Sequence, residues 1–159
     1  MREITENSDI AGQGYGRAVP YGLDTQIGNV RESFAANAFR PEDVIGKPLA
    51  YRHGEPIGVI TAAKNESDGL YIDFNIANTV QGRDAATLIR TGSAKGLSVG
   101  FAPTKSVWNR AKTTVQHLAA NLAEVSITHM PAYATAGVSA IREEEMSVET
   151  VEVEAAPAV

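Results

Sequence analysis

The sequence contains no cysteine. That absence removes disulfides, thiol catalysis and cysteine-ligated zinc together, and it fits a reducing compartment. Long apolar runs are missing too, so no segment reads as a membrane span. The opening residues Met1-Arg2-Glu3-Ile4-Thr5-Glu6-Asn7 show no apolar stretch of signal-peptide type. Histidine is scarce: His53, His117 and His129 are all there is. None stands at a metal-site spacing from Glu or Asp, so metal catalysis is not expected, and no cofactor is called for. No basic stripe runs along the chain, which argues against nucleic acid as a partner.

What is present suits one domain with a real core: 159 residues, 43% hydrophobic and 21% charged. The net charge of −5 lies at one end. Residues 142–159 hold six glutamates and one arginine, while the other 141 residues hold 13 basic and 13 acidic groups. The expected layout is a flexible N-terminus over 1–14, a folded domain over 15–141, and an acidic, Ala/Pro-rich flexible tail over 142–159. Six like charges in that tail cannot bury a core.

Within the folded part, short strands dominate. Leu70, Ile72, Phe74 and Ile76 alternate with Tyr71, Asp73 and Asn75, the signature of a half-buried strand. Asn65, Ser67, Asp68 and Gly69 signal a turn before it, and residues 56–62 read as its hairpin partner. One helix is clear over 81–91. Ala85, Leu88 and Ile89 share a face, Thr79 or Asn78 caps the start, and Gly92 stops it. A shorter helix is expected over 32–38. Further strands are expected over 96–103, 113–118, 122–129 and 138–141, with 104–114 a solvated hairpin loop. This pattern predicts an α+β, mainly β fold: a small antiparallel β-barrel or sandwich with peripheral helices.

Three segments carry chemistry. In Gly96-Leu97-Ser98-Val99-Gly100-Phe101, Ser98 points away from the face of Leu97, Val99 and Phe101. In Leu122-Ala123-Glu124-Val125-Ser126-Ile127, Glu124 points away from Val125 and Ile127. His53 lies between Tyr51 and Gly54, sharing a face with Tyr51 if the segment is extended. Nucleophile, base and orienting carboxylate are the parts of a hydrolytic triad. Glycines beside Ser98 would let a scissile carbonyl approach backbone N–H groups, or they mark bends in a curved strand. The same residues also fit a plainer description, as polar groups on the outer face of amphipathic strands. Asp24, Asp43 and Asp73 lack a comparable setting. Trp108 reads as a partly covered aromatic at a strand end.

Taken in order, the segments resemble the tailed-phage prohead protease family, the serine endopeptidases of capsid maturation. The match runs from about residue 15 to 141. It includes Glu32 to Phe39, His53 to Gly58, Gly69 to Tyr71, Asn78-Thr79, Gly82 to Ala85, Gly96 to Phe101, Leu122 to Ile127, and Pro131-Ala132. The family usually has glycine where this chain has Asn37. The resemblance implies a fold similar to the herpesvirus assemblin proteases. It also implies Ser98 as nucleophile, His53 as general base and Glu124 as third member. Assemblin relatives use a second histidine there, which makes His129 or His117 the fallback. Implied substrates are the phage major capsid protein and scaffold segments, and the protease itself, inside the immature prohead in the host cytoplasm. No nucleic acid, membrane or cofactor is implied, and a homo-oligomer is compatible. The competing class is a non-catalytic β-barrel scaffold or core protein of the phage head. A small-molecule esterase is disfavoured, because the sequence shows no deep apolar pocket.

Overall fold

The computed structural model describes residues 9–142. Its elements are β1 (Ile10–Pro20), β2 (Thr25–Ile27), β3 (Val30–Phe34), α1 (Pro41–Val44), β4 (Pro48–Tyr51), β5 (Pro56–Glu66), β6 (Gly69–Ala77), α2 (Val80–Thr91), β7 (Gly96–Trp108), β8 (Thr114–Thr128) and β9 (Gly137–Arg142). The sheet order is β2-β3-β8-β4-β5-β6-β1-β9-β7, and β7 pairs again with β8. Seven strands therefore close into a barrel, with β2 and β3 added alongside the first half of β8. Among the described residues no helix is long and apolar enough to cross a membrane.

The alternation in β6 does what its period dictates. Leu70, Ile72, Phe74 and Ile76 are buried inside the barrel, with Ile57, Ile60, Val19, Leu97, Val125 and Ile127 around them. The chain has four phenylalanines. Phe74 fills the barrel, while the other three cluster under the β3–β7–β8 arm. There the Phe34 ring lies 5.3 Å from Phe39 and 4.9 Å from Phe101, between centroids. Helix α2 starts where Thr79 Oγ1 accepts a hydrogen bond from the Gly82 N–H at 2.9 Å, and it ends at Gly92 with φ +85°. It buries Ala85, Ala86 and Ile89.

Several expectations need correction. Residues 32–34 are strand, not helix, because β3 finds a parallel partner in β8, from Arg31 opposite Thr114 to Phe34 opposite His117. A distant ladder here outweighs local preference. The turn that follows holds Asn37 at φ +65°. Asparagine tolerates this left-handed conformation better than most residues. The strands expected over 113–118 and 122–129 are one strand, since Ala119, Ala120 and Asn121 pair with Lys105, Pro103 and Ala102. The first part of the expected loop 104–114, through Trp108, is the continuation of β7. Its tip is held by Asn109 Oδ1, which accepts from the N–H groups of Thr113 and Thr114 at 2.8 and 3.0 Å. Trp108 at that tip is 43% exposed, with Lys112 Nζ 5.7 Å from the ring centroid. The barrel is not wholly antiparallel either, because β4 joins β8 in parallel.

Strand β1 begins at Ile10, inside the segment expected to be flexible, because it pairs with both β6 and β9. Arg142, assigned to the tail, closes β9 opposite Gln13. The remainder of the expected tail, and residues 1–8, lie outside the described residues.

Tyr21 locks the end of β1 to its neighbours. Its hydroxyl donates to Asn65 Oδ1 at 2.6 Å, and Asn65 Nδ2 donates to the Phe39 carbonyl at 2.9 Å. Burial pushes the Tyr21 phenol up to about 12, partly opposed by the Phe39 backbone. A raised folded value means the unfolded chain loses this proton first. The stabilisation is whole below pH ~10 and is lost as pH rises through about 12. Thermal melts should therefore drop over that window, and Tyr21→Phe should flatten the drop. An identical alkaline profile in the variant would contradict this.

Candidate active site

The site is assembled on three adjacent strands. On one edge of β8, β7 pairs so that Ser98 lies opposite Ser126 and Gly100 opposite Glu124. On its other edge, β4 pairs with residues 125–127, ending at Tyr51 opposite Ile127. His53 follows two residues after Tyr51. The ladder skips Ala123 between the Gly100–Glu124 and Phe101–Leu122 pairs. That β-bulge sends Leu122 into the core while Glu124, two residues on, faces His53.

His53 is not on an extended segment, as its sequence context suggested. Arg52 and His53 both have positive φ, +54° and +60°, and the Gly54 N–H donates to the Tyr51 carbonyl at 2.9 Å. Two consecutive left-handed residues closing such a bond make a type I′ turn. Each costs on the order of 1 kcal/mol without glycine. The turn is held against β8. Arg52 N–H donates to the Ile127 carbonyl at 3.1 Å, and His53 N–H donates to Ser126 Oγ at 2.7 Å.

Glu124 meets the imidazole directly, with Oε2 at 2.6 Å from His53 Nδ1. Its other oxygen, Oε1, accepts from the Ser126 hydroxyl at 2.7 Å. With the carboxylate ionised, Nδ1 is the donor, so the lone pair of a neutral ring falls on Nε2. The His53 side chain is 47% exposed and shares a cavity of about 250 Å³ with Ser98, which is 9% exposed. Among the described residues no hydrogen bond joins Ser98 Oγ to His53. Catalytic hydrogen bonds are often long before a substrate is bound and tighten only with it. The cavity walls are largely apolar, with Val19, Val99 and Phe101, and Glu32 and Tyr133 also reach it. At this size it accommodates a side chain more readily than a drug-sized ligand. A larger depression of about 430 Å³ over β1, β6 and β9 is lined by neither serine nor histidine.

Gly100 stands at the β-bulge, as the bend reading expected, and the glycines flanking Ser98 also leave room for neighbouring groups. A Cβ on Gly100 would stand 2.4 Å from Glu124 Oε2, and one on Gly96 would stand 2.7 Å from the Pro131 ring. Gly100 therefore leaves the space that Glu124 occupies to reach His53.

The fallback histidines stand elsewhere. His117 is 5% exposed, with Nδ1 2.8 Å from Ser106 Oγ and Nε2 2.9 Å from Glu32 Oε2. Tyr133 donates its hydroxyl to Glu32 Oε1 at 3.0 Å. Burial first, then the Glu32 carboxylate, push the Tyr133 phenol well above its usual range, so it remains a neutral donor. Ser106, His117 and Glu32 thus form a second serine–histidine–glutamate chain, but its ring is buried. His129 lies in a separate groove with Lys95 and Pro131. Among the described residues no group of three His, Asp or Glu is placed to hold a metal ion. Sequence reasoning missed Ser126, Glu32 and Tyr133. Ser126 was within reach, because it sits two residues from Glu124 on a strand.

No curated protein matches the chain. A family model does, described as caudovirus prohead serine protease, over residues 2–151.

Gly100→Ala should leave the fold intact, since what must move is the free end of a flexible side chain. A crystal structure of the variant should show Glu124 Oε2 beyond hydrogen-bond range of His53 Nδ1, more than about 3.5 Å. An unmoved carboxylate would refute the steric argument.

Proposed function

The chain belongs to the caudovirus prohead serine protease family, and from that premise we propose that Ser98, His53 and Glu124 are its catalytic triad. Membership supports a protease role in phage capsid maturation, and with it a proposed location inside the prohead in the host cytoplasm. One observation supports the residue assignment above others: the 2.6 Å contact of Glu124 with His53 Nδ1, on a ring that shares its cavity with Ser98.

The mechanism follows from that geometry. His53 Nε2 takes the Ser98 hydroxyl proton as Oγ attacks the peptide carbonyl. Glu124 holds the Nδ1 proton and stabilises the imidazolium that forms. The tetrahedral intermediate collapses to a Ser98 ester as His53 returns the proton to the departing amine. Water, deprotonated by the same ring, then hydrolyses the ester and frees Ser98. The proposed substrates are segments of the major capsid protein and scaffold, and the chain itself. We extend the proposal to the fold, because a closed barrel with few, peripheral helices supports a likeness to the herpesvirus assemblin proteases. A purely structural head protein would not need the Glu124–His53 pair.

Co-expression with the capsid protein, followed by time-resolved mass spectrometry of the cuts, tests this. Ser98→Ala should lose on the order of 10⁴–10⁶ in rate. Its stability should shift by less than about 1 kcal/mol, since no large cavity forms. Glu124→Gln should lose less, roughly 10²- to 10⁴-fold, because its role is to orient. Wild-type cleavage by folded Ser98→Ala would remove the proposal.

A further inference from the structure

Ser126 joins two groups that the chemistry needs in register. It is fully buried on β8, and a buried hydroxyl is costly unless it is bonded. Its oxygen accepts from the His53 main-chain N–H at 2.7 Å, and its proton goes to Glu124 Oε1 at 2.7 Å. The direction of both bonds is forced. A main-chain N–H can only donate, so the hydroxyl accepts there and keeps its own proton for the carboxylate. Glu124 Oε1 is thereby fixed as an acceptor, which leaves Oε2 turned to His53.

We propose that Ser126 is a positioning residue of this site, a single hydroxyl that sets both the orientation of Glu124 and the placement of His53. The inference rests on the triad assignment above for its catalytic meaning, but its geometry stands apart from that. Without Ser126, the Glu124 carboxylate keeps only the half-exposed imidazole as a partner. The turn that carries His53, with two residues in the left-handed region, loses one of its two bonds to β8. The ring is then free to turn and its tautomer free to change. Ser126 also faces Ser98 directly across the ladder, so the same strand position registers acid, base and nucleophile.

Two readouts test this. The first needs no activity: ¹⁵N shifts of the His53 ring in Ser98→Ala protein, with and without Ser126→Ala. The Nδ1-protonated tautomer should dominate in the first protein. It should give way to the Nε2-protonated form, the one favoured by a free histidine side chain in water, in the second. The second readout is peptide cleavage by the single Ser126→Ala variant. It should lose roughly 10- to 100-fold in kcat with KM little changed, as expected when a catalytic group is misplaced rather than a binding contact removed. If Ser126→Ala does not fold, Ser126→Cys carries the test, since it keeps the volume and bonds poorly. An unchanged tautomer population, or a loss confined to KM, would overturn the inference. A tautomer change in a chain that cleaves nothing would instead overturn the protease assignment and leave the positioning role standing.

Discussion

Strand β8 is bonded on both edges at the same residues, and the site depends on that. Residues 125–127 pair with β4 while 124–128 pair with β7. The strand of Ser98 and the strand that leads to His53 are therefore fixed to one backbone, and Glu124 sits on that backbone between them. No long loop has to close for the three groups to share a region. A parallel pairing, which needs a long crossover, makes this possible. The crossover from β4 back to β8 is most of the barrel itself, so barrel closure and site assembly are one event.

That arrangement carries local costs, and each has an identifiable offset. Two non-glycine residues stand at positive φ in the turn bearing His53, offset by main-chain bonds to Ile127 and Ser126 and by the Arg52 guanidinium 5.1 Å from the Tyr51 ring centroid. Glu124 is largely withdrawn from water, offset by a partner at each oxygen. Gly100 gives up a side chain in the middle of a strand so that the carboxylate has room. Local irregularities that a packed core alone would not require thus gather within a few residues of one another, as they do where a fold serves a reaction.

Much of the regular structure was legible in the chain. The alternation from Leu70 to Ile76 and the capped helix starting after Thr79 need only local rules, and both are present with small changes of boundary. Ser98 was read as leaving the apolar side of its strand, but it is only 9% exposed and lines one cavity with Val99 and Phe101. What was not legible depends on distant partners. Residues 32–34 take strand geometry only because β8 lies beside them, and β8 runs unbroken through Ala119–Asn121 only because β7 does. The turn at His53 was hidden because neither left-handed residue in it is glycine or asparagine. Ser126 shares a strand face with Glu124 and so could have been suspected, but its bond to the His53 main chain could not. The second chain of Ser106, His117 and Glu32 was missed when Glu32 was assigned to a helix.

Two serines lie next to histidine–glutamate pairs, and only one is argued to be reactive. Ser98 shares its cavity with a half-exposed ring that a substrate can reach, whereas Ser106 faces a ring that is only 5% exposed. The most direct measurement is mass-spectrometric mapping of the adduct formed by a serine-directed fluorophosphonate. The account predicts a single adduct on Ser98, lost in folded His53→Ala protein. An adduct on Ser106, or equal labelling of Ser98 without His53, would contradict it.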